Sequence, residues 1–186
     1  MSSTELGRYT NPRVSISGVE ANSTVTLISS VDGAIGSATV GEAQASCMIT
    51  PTAALSQGVH VITATQTDLA GNVSPVSAAL VPGLTIDTTE PTISVLFPAN
   101  GAQDAGSNAN LAITFSEDVL ANPMHLLIRK ISDNSIVEDI VLTSAQVTVA
   151  GNQVTIDPLA TFESETGYYI QIDAEGFWDA AGNRFE

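Results

Sequence analysis

The residues with the most evident chemistry are acidic and stand in short turn-like segments. Asp87-Thr88-Thr89-Glu90-Pro91 separates two copies of the motif Asp-x-Ala-Gly-Asn, at 68–72 and 179–183. A further acidic segment, Ser116-Glu117-Asp118, directly follows a strand-like run. Calcium takes about six to eight oxygen ligands, and two or three acids on neighbouring loops can supply a large part of such a set. These segments therefore predict calcium binding more readily than catalysis.

The position of these acids depends on the strands that carry them. In an antiparallel β-sandwich the first strand of the second half runs away from the 87–91 segment and the second strand returns to it. Glu117 follows that returning strand, and the strand that ends at Ile172 returns to the same end. The acids of the linker and of these loops should therefore converge. The predicted calcium ligands are Asp87, Glu90, Glu117, Asp179 and Asn183.

A purely structural interpretation competes with calcium binding. Asp179 and Asn183 can hydrogen-bond within their own turn, with Gly182 at positive φ, while Asp87 and Glu90 stay solvated. The corresponding end of the first half carries Asp32 and Asp68. These two are weaker candidate metal ligands, because the segment before the first half, Tyr9 to Pro12, lacks an acid.

The composition excludes several classes of function. Twenty acids face five basic residues, for a formal net charge of −15, so nucleic acid and anionic lipid surfaces are not expected partners. No run approaches the roughly 20 apolar residues of a membrane span, so membrane insertion is not expected.

The single cysteine, Cys47, cannot form an intrachain disulfide. His60 and His125 lack a motif with a nucleophile and an orienting acid, so no catalytic residue is predicted.

The apolar pattern predicts an all-β chain. Runs such as Thr24 to Ile28 and Leu111 to Phe115 alternate with period two, and turn signals recur about every ten residues. Val73 to Ile86 can supply the last strand of the first half, although Pro75 and Pro82 restrict it to an edge. The two repeated turns begin at Asp68 and Asp179, so they lie 111 residues apart, which is about one domain length.

The predicted organisation is therefore two tandem β-sandwiches joined by a short linker. The predicted bounds are a leader or residual linker at 1–10, a first sandwich at 11–86, a linker at 87–91 and a second sandwich at 92–186.

Both halves resemble known bacterial domains. The first half is similar to the bacterial Ig-like repeats of large repetitive surface adhesins of the biofilm type, through Val14 to Gly18, Gly58 to Thr65, Asp68 to Asn72 and the 87–91 linker. The second half resembles the Ig-like domain of S-layer proteins and of the same adhesins. It does so through Pro98 to Ala102, Ile113 to Glu117 and Tyr168 to Ile172.

This resemblance implies a secreted structural or extender module at the bacterial cell surface. Its partners would be neighbouring Ig-like domains of the same chain, and its implied cofactor is structural Ca²⁺ that makes the junction rigid. Only Arg184 to Glu186 follow Asn183, so the second sandwich is expected to lack its final strand. The resulting open edge could accept a strand from a neighbouring chain, with self-association as one outcome.

Two other functions remain open at this point. The chain could be a binding module for a carbohydrate or a protein on a host surface, with Trp178 as the candidate ligand-binding residue. It could also be an accessory domain of a secreted enzyme whose catalytic part lies in another domain. Packing beneath the Asp179 turn is the competing interpretation of Trp178.

Overall fold

The computed structural model describes residues 2–3 and 10–186. The chain forms two compact units, Met1–Thr88 and Thr89–Glu186. All the regular elements in the described ranges are β-strands, which confirms the predicted fold class. The predicted leader, 1–10, lies largely outside the described residues. No helix in the described part of the chain has the length and apolarity needed to cross a membrane.

In the described residues 2–3 and 10–88, the first unit has eight short strands in three sheets. The sheets are β1-β2-β5, β4-β3-β7 and β6-β8, and all the pairings are antiparallel. The strands are β1 (Ser2–Ser3), β2 (Val14–Ser17), β3 (Thr24–Ser29), β4 (Gly33–Thr39), β5 (Ser46–Ile49), β6 (Gly58–His60), β7 (Ile62–Thr67) and β8 (Leu84–Ile86).

The core of the first unit follows from alternation along these strands. Val25 and Leu27 of β3 are buried while their neighbours are more exposed, the pattern of a strand with one face on the core. Leu84 and Ile86 of β8 are also buried, on either side of the exposed Thr85. The last strand thus completes the hydrophobic core.

The segment between the Asp68 turn and β8 differs from the prediction. Val73 to Ile86 was predicted as the last strand, but only Leu84–Ile86 forms one. Residues 74–80 instead run beside β7, where Ser74, Ser77 and Leu80 donate their N–H groups to the carbonyls of Gln66, Ala64 and Ile62. The hydroxyls of Ser74 and Ser77 in turn accept the N–H groups of Gln66 and Ala64, each at 3.0 Å. Serine side chains therefore act as the acceptors that a neighbouring strand would offer through its backbone.

The second unit consists of nine strands. They form the sheets β14-β15-β10-β9 and β13-β12-β16, together with the short pair β11-β17. The strands are β9 (Ile93–Phe97), β10 (Leu111–Phe115), β11 (Leu120–Ala121), β12 (His125–Lys130), β13 (Ile136–Val141), β14 (Val147–Ala150), β15 (Gln153–Ile156), β16 (Tyr168–Ile172) and β17 (Phe177–Trp178).

The core of the second unit is aromatic at its centre. Phe115 and Phe177 are buried with their ring centroids 5.0 Å apart, and Phe185 makes an edge contact with Phe115 at 5.5 Å. Such tilted and edge-to-face pairs are the favoured arrangements of aromatic rings. Since Phe115 ends β10 and Phe177 opens β17, this packing fixes the segments that follow them.

Candidate functional site

The Asp179 turn presents a buried, hydrogen-bonded acid in the second unit. The carboxylate of Asp179 accepts the backbone N–H of Asn183 at 2.8 Å and its side-chain amide at 2.7 Å. Gly182 lies at φ +91°, a conformation that glycine adopts without steric cost. Asp179 is buried, with 3% of its surface exposed. The turn therefore holds a buried carboxylate in one orientation.

Glu117 is brought to this turn by the short β11-β17 pair. Leu120 pairs with Trp178 and Ala121 with Phe177, so the loop after β10 lies beside the start of the Asp179 turn. Ser116 fixes the other end of that loop: its N–H donates to the carbonyl of Thr92, and its hydroxyl accepts the N–H of Thr92. Glu117 is thus set between two anchored points.

The linker begins with a half-buried acid. The side-chain amide of Gln57 donates to Asp87 Oδ1 at 3.4 Å, and the hydroxyl of Thr88 donates to Gln57 Oε1 at 3.1 Å. The start of the 87–91 segment is therefore held by side-chain hydrogen bonds. Sequence reasoning did not identify Gln57, because an isolated glutamine in a loop carries no distinguishing pattern.

Three of the five predicted ligands come together. One carboxylate oxygen each from Asp87, Glu117 and Asp179 lies within 4.8 Å of the others. We call these three residues the acidic cluster. Asp87 and Glu117 are half-buried and Asp179 is buried. The cluster is the only group of three or more potential metal ligands within the described residues.

The donor chemistry of the acidic cluster fits a hard divalent cation. All three residues offer carboxylate oxygens, the ligands that calcium and magnesium prefer, with no imidazole or thiolate that would favour zinc. Each oxygen of the Asp179 carboxylate already accepts one hydrogen bond from Asn183. A carboxylate oxygen has about two acceptor positions, so each keeps capacity for an ion.

The other two predicted ligands have different surroundings. Glu90 is exposed and is not a member of the acidic cluster. Asn183 is buried and orients Asp179 through the two hydrogen bonds of the turn. Its observed contact matches the structural interpretation of the Asp-x-Ala-Gly-Asn motif, in which the asparagine stabilises the turn.

Within the residues that the structure describes, the weaker candidates in the first unit do not belong to a group of three or more potential metal ligands. Asp68 forms the same turn as Asp179, with hydrogen bonds of 2.8 and 2.7 Å from Asn72, but here the aspartate is half-buried and the asparagine exposed. These hydrogen bonds hold the pKa of Asp68 below its usual value. Asp32 accepts the hydroxyl and the N–H of Ser56, which lower its pKa in the same way. Ordinary turn and loop hydrogen bonds account for both positions.

His60 belongs to a buried hydrogen-bond network that the sequence did not reveal. Its Nδ1 lies 2.7 Å from the hydroxyl of Ser29, and its Nε2 lies 2.8 Å from the carbonyl oxygen of Ser56. The Ser29 oxygen also accepts the N–H groups of Val31 and Asp32. Because Ser29 and His60 are both buried and Nε2 faces a carbonyl, this network ties strands together. It lacks the nucleophile geometry of a hydrolase triad, in which serine meets Nε2 and an acid meets Nδ1.

Trp178 lies in β17, half-buried and opposite Leu120. Its indole N–H is buried without a hydrogen-bond partner among the described residues. Its neighbour Phe177 is fully buried in the core. Tyr168 and Tyr169 alternate along β16, Tyr168 against Phe162 and Tyr169 with its hydroxyl on Asn134, so they do not form one flat aromatic surface.

Comparison with known proteins identifies both halves of the chain. A family model described as "Bacterial Ig-like domain" matches residues 87–186, and a second model with the same description matches residues 2–88. The first of these ranges contains the whole acidic cluster. A search of curated proteins finds no match to the chain.

Among solved structures, one similar chain is described as "Biofilm associated protein - BSP domain". It is 11% identical, with a TM-score of 0.33 over 94% of this chain. This chain spans 26% of the length of that structure.

Proposed function

Because the chain belongs to the bacterial Ig-like domain family, with one match at 2–88 and another at 87–186, we propose that it is an extender module of a secreted bacterial cell-surface adhesin. In this proposal Ca²⁺ binds the acidic cluster and makes the junction between the domains rigid. The module is structural, not catalytic, and it works outside the cell with neighbouring Ig-like domains of the same chain as its direct partners.

The observation that carries the calcium proposal is the meeting of three carboxylates from separate segments. Asp87 comes from the linker, Glu117 from the loop after β10 and Asp179 from the turn after β17. The oxygens lie at most 4.8 Å apart, and two unit charges at that distance repel by roughly 3 kcal/mol at an effective dielectric constant near 20. A divalent cation among them converts this repulsion into attraction. The acids are therefore better explained as ligands than as unrelated surface residues.

Calcium would act mechanically by joining the linker to the second domain. Glu117 and Asp179 are held by strand pairing and by the turn, so they offer a preformed half of the site. Asp87 completes it from the linker, and an ion that binds all three removes conformational freedom from residues 87–91. Because the ion binds the folded state alone, it also stabilises that state by mass action.

The proposal predicts a calcium-dependent melting temperature. We expect the Tm of the chain to rise when about 2 mM CaCl₂ replaces a chelator, since ligand at 100 times its Kd adds about 2.7 kcal/mol to stability. Asp87→Asn and Glu117→Gln should each reduce this rise, because each removes one carboxylate from the acidic cluster. Differential scanning calorimetry measures both effects.

Glu90→Gln is the matched control for these variants. It removes an acid from the same linker, but Glu90 is exposed and outside the acidic cluster. The calcium-induced rise in Tm should therefore match that of the unmodified chain. Equal rises in Tm for the unmodified chain and Asp87→Asn would contradict the proposed site, as would no rise at all.

A further inference from the structure

The pair Asn100-Gly101 lies in the connection between β9 and β10. It is the only place in the sequence where a glycine directly follows an asparagine, and both residues are exposed. The N–H of Ala102 donates to the carbonyl of Ala99 at 2.9 Å, and Gly101 has φ +78°. The pair therefore occupies the two central positions of a β-turn that faces solvent.

The two groups of this pair that could react with each other are not held by the described part of the chain. The side-chain amide of Asn100 and the backbone N–H of Gly101 have no hydrogen-bond partner among the described residues. The place that a Cβ of Gly101 would take has no other atom within 4 Å. In contrast, Asn72 and Asn183 donate their side-chain amides to aspartates at 2.7 Å. Asn100 can therefore change its rotamer without losing a hydrogen bond to the protein.

The connection that contains the turn, residues 98–110, is held mainly by short-range bonds. The N–H groups of Ala102 and Ala109 donate to carbonyls three residues earlier in the chain. A longer-range bond, from the N–H of Phe162 to the carbonyl of Ser107, ties the connection to the rest of the second unit. Exposed bonds of this kind open locally without unfolding of the domain. The backbone of the turn can thus rearrange in the folded protein.

An asparagine followed by glycine can undergo an intramolecular substitution. The backbone nitrogen of Gly101 attacks the side-chain carbonyl carbon of Asn100, and the new N–C bond closes a cyclic imide. The side-chain nitrogen leaves as ammonia, which carries away the proton of the attacking N–H. Water then opens the imide at either of its two carbonyls and leaves aspartate or isoaspartate. Glycine favours the ring closure, because it has no Cβ to hinder the approach and has the widest range of φ and ψ.

We propose that Asn100 is a site of spontaneous deamidation in the folded protein, with water as the co-reactant. Each event replaces a neutral amide by a carboxylate, so it adds one negative charge to a chain of net charge −15. The isoaspartate product also brings the side-chain methylene into the backbone of the turn, which lengthens the path between β9 and β10. The folded chain therefore accumulates more acidic forms with time.

Two other asparagines in the same connection provide an internal comparison. Asn108 and Asn110 are exposed like Asn100, but alanine and leucine follow them. The Cβ atoms of Ala109 and Leu111 restrict the backbone and hinder the attack of its nitrogen. Deamidation at Asn108 and Asn110 should therefore be at least about tenfold slower than at Asn100.

Ageing of the full chain followed by peptide mass spectrometry measures the reaction. The chain is kept in mildly alkaline buffer, which favours the deprotonated backbone nitrogen, and is then digested after glutamates at acidic pH. The peptide of residues 91–117 contains all three asparagines, and its fragmentation identifies the altered residue. A parallel sample in guanidinium chloride gives the rate without folded structure. We expect Asn100 to react first, at a folded-state rate within about tenfold of the unfolded rate, because the turn opens locally.

Asn100→Gln is the test variant, and Asn108→Gln is its matched control. Glutamine keeps the amide but adds a methylene, so the same attack would have to close a larger ring that forms more slowly. Asn100→Gln should abolish the acidic forms that isoelectric focusing resolves, whereas Asn108→Gln should leave them at the level of the unmodified chain. Circular dichroism checks the fold of both variants.

Each of three results would overturn the proposal. If Asn100 stays unaltered in the folded chain, the turn protects it. Equal rates at Asn100, Asn108 and Asn110 would mean that the following glycine does not decide the reaction. Acidic forms that persist at the same level in Asn100→Gln would come from another residue.

Discussion

The two Asp-x-Ala-Gly-Asn turns have the same hydrogen bonds but different surroundings. In each, the asparagine donates its backbone N–H and its side-chain amide to the aspartate, at 2.8 and 2.7 Å. Asn72 is exposed, whereas Asn183 and Asp179 are buried. The motif therefore encodes a turn, and its neighbours decide what else the aspartate can do.

This difference predicts unequal effects of one substitution at the two turns. Asn72→Ala should cost less than about 1 kcal/mol of unfolding free energy, because water can replace the lost hydrogen bond. Asn183→Ala should cost about 1–3 kcal/mol, because it leaves a buried carboxylate oxygen without its donor. Urea unfolding in the presence of a chelator measures both values. Equal costs would mean that burial of the second turn has no energetic role.

His125 provides a pH-dependent contact in the second unit. Its Nδ1 lies 2.5 Å from Asp139 Oδ1, and this hydrogen bond raises the pKa of His125 above the usual 6.5. The stabilisation is therefore fully present below the unfolded-state pKa and is lost as pH rises through the folded-state pKa. The loss of this contact contributes to a decline in Tm as the pH rises, and Asp139→Asn should remove that contribution. Glu165→Gln, at an exposed acid, should leave the decline unchanged; a decline unaltered by Asp139→Asn would refute the assignment.

The sequence identified the acidic cluster only in part. The sequence predicts that Asp87, Glu117 and Asp179 converge, because β10 and the strand that ends at Ile172 return to one end; in the structure one carboxylate oxygen of each lies within 4.8 Å of the others. The direction of each strand decides which end of the sheet its following loop reaches, and the strands themselves can be recognised from period-two alternation in the sequence. Glu90 was predicted with them but lies outside the cluster, because the path of single residues in a linker depends on contacts such as Gln57 with Asp87.

At the scale of elements, period-two alternation located most strands but not their sheets. The run from Val59 to Thr65 has the β-branched composition of a single strand. It is instead divided between β6 and β7, which belong to different sheets. Alternation is the same on either side of such a crossing, so the sequence gives no signal for it. The 74–80 segment was predicted as part of a strand for a related reason, since its serines act as backbone acceptors only once they lie beside β7.

These serines should protect β7 from local opening. Ser74→Ala/Ser77→Ala leaves the N–H groups of Gln66 and Ala64 without their acceptors. Each lost bond is worth about 1 kcal/mol, so we expect roughly fivefold faster hydrogen exchange at both amides. Exchange followed by NMR gives the rate at each amide. Ser74→Thr/Ser77→Thr keeps the hydroxyls and should keep the protection; unchanged exchange in the alanine variant would show that the serines are not the acceptors in solution.

At the scale of the whole molecule, two family-matched domains are joined by a linker of a few residues. A short linker alone limits the distance between domains but not their relative motion. For an extender of a surface adhesin the useful property is stiffness, because a flexible array loses reach. The proposed role of calcium is to supply that stiffness at the linker when the concentration of the ion is high, as it is outside the cell.

The most direct test is a pulsed-EPR distance distribution between two spin labels, one in each unit. Ser37→Cys and Thr148→Cys provide exposed attachment sites in a Cys47→Ala background. We predict a narrower distribution in calcium than in chelator, and no narrowing when Asp87→Asn is added. Distributions of equal width in calcium and in chelator would contradict a calcium-stiffened extender.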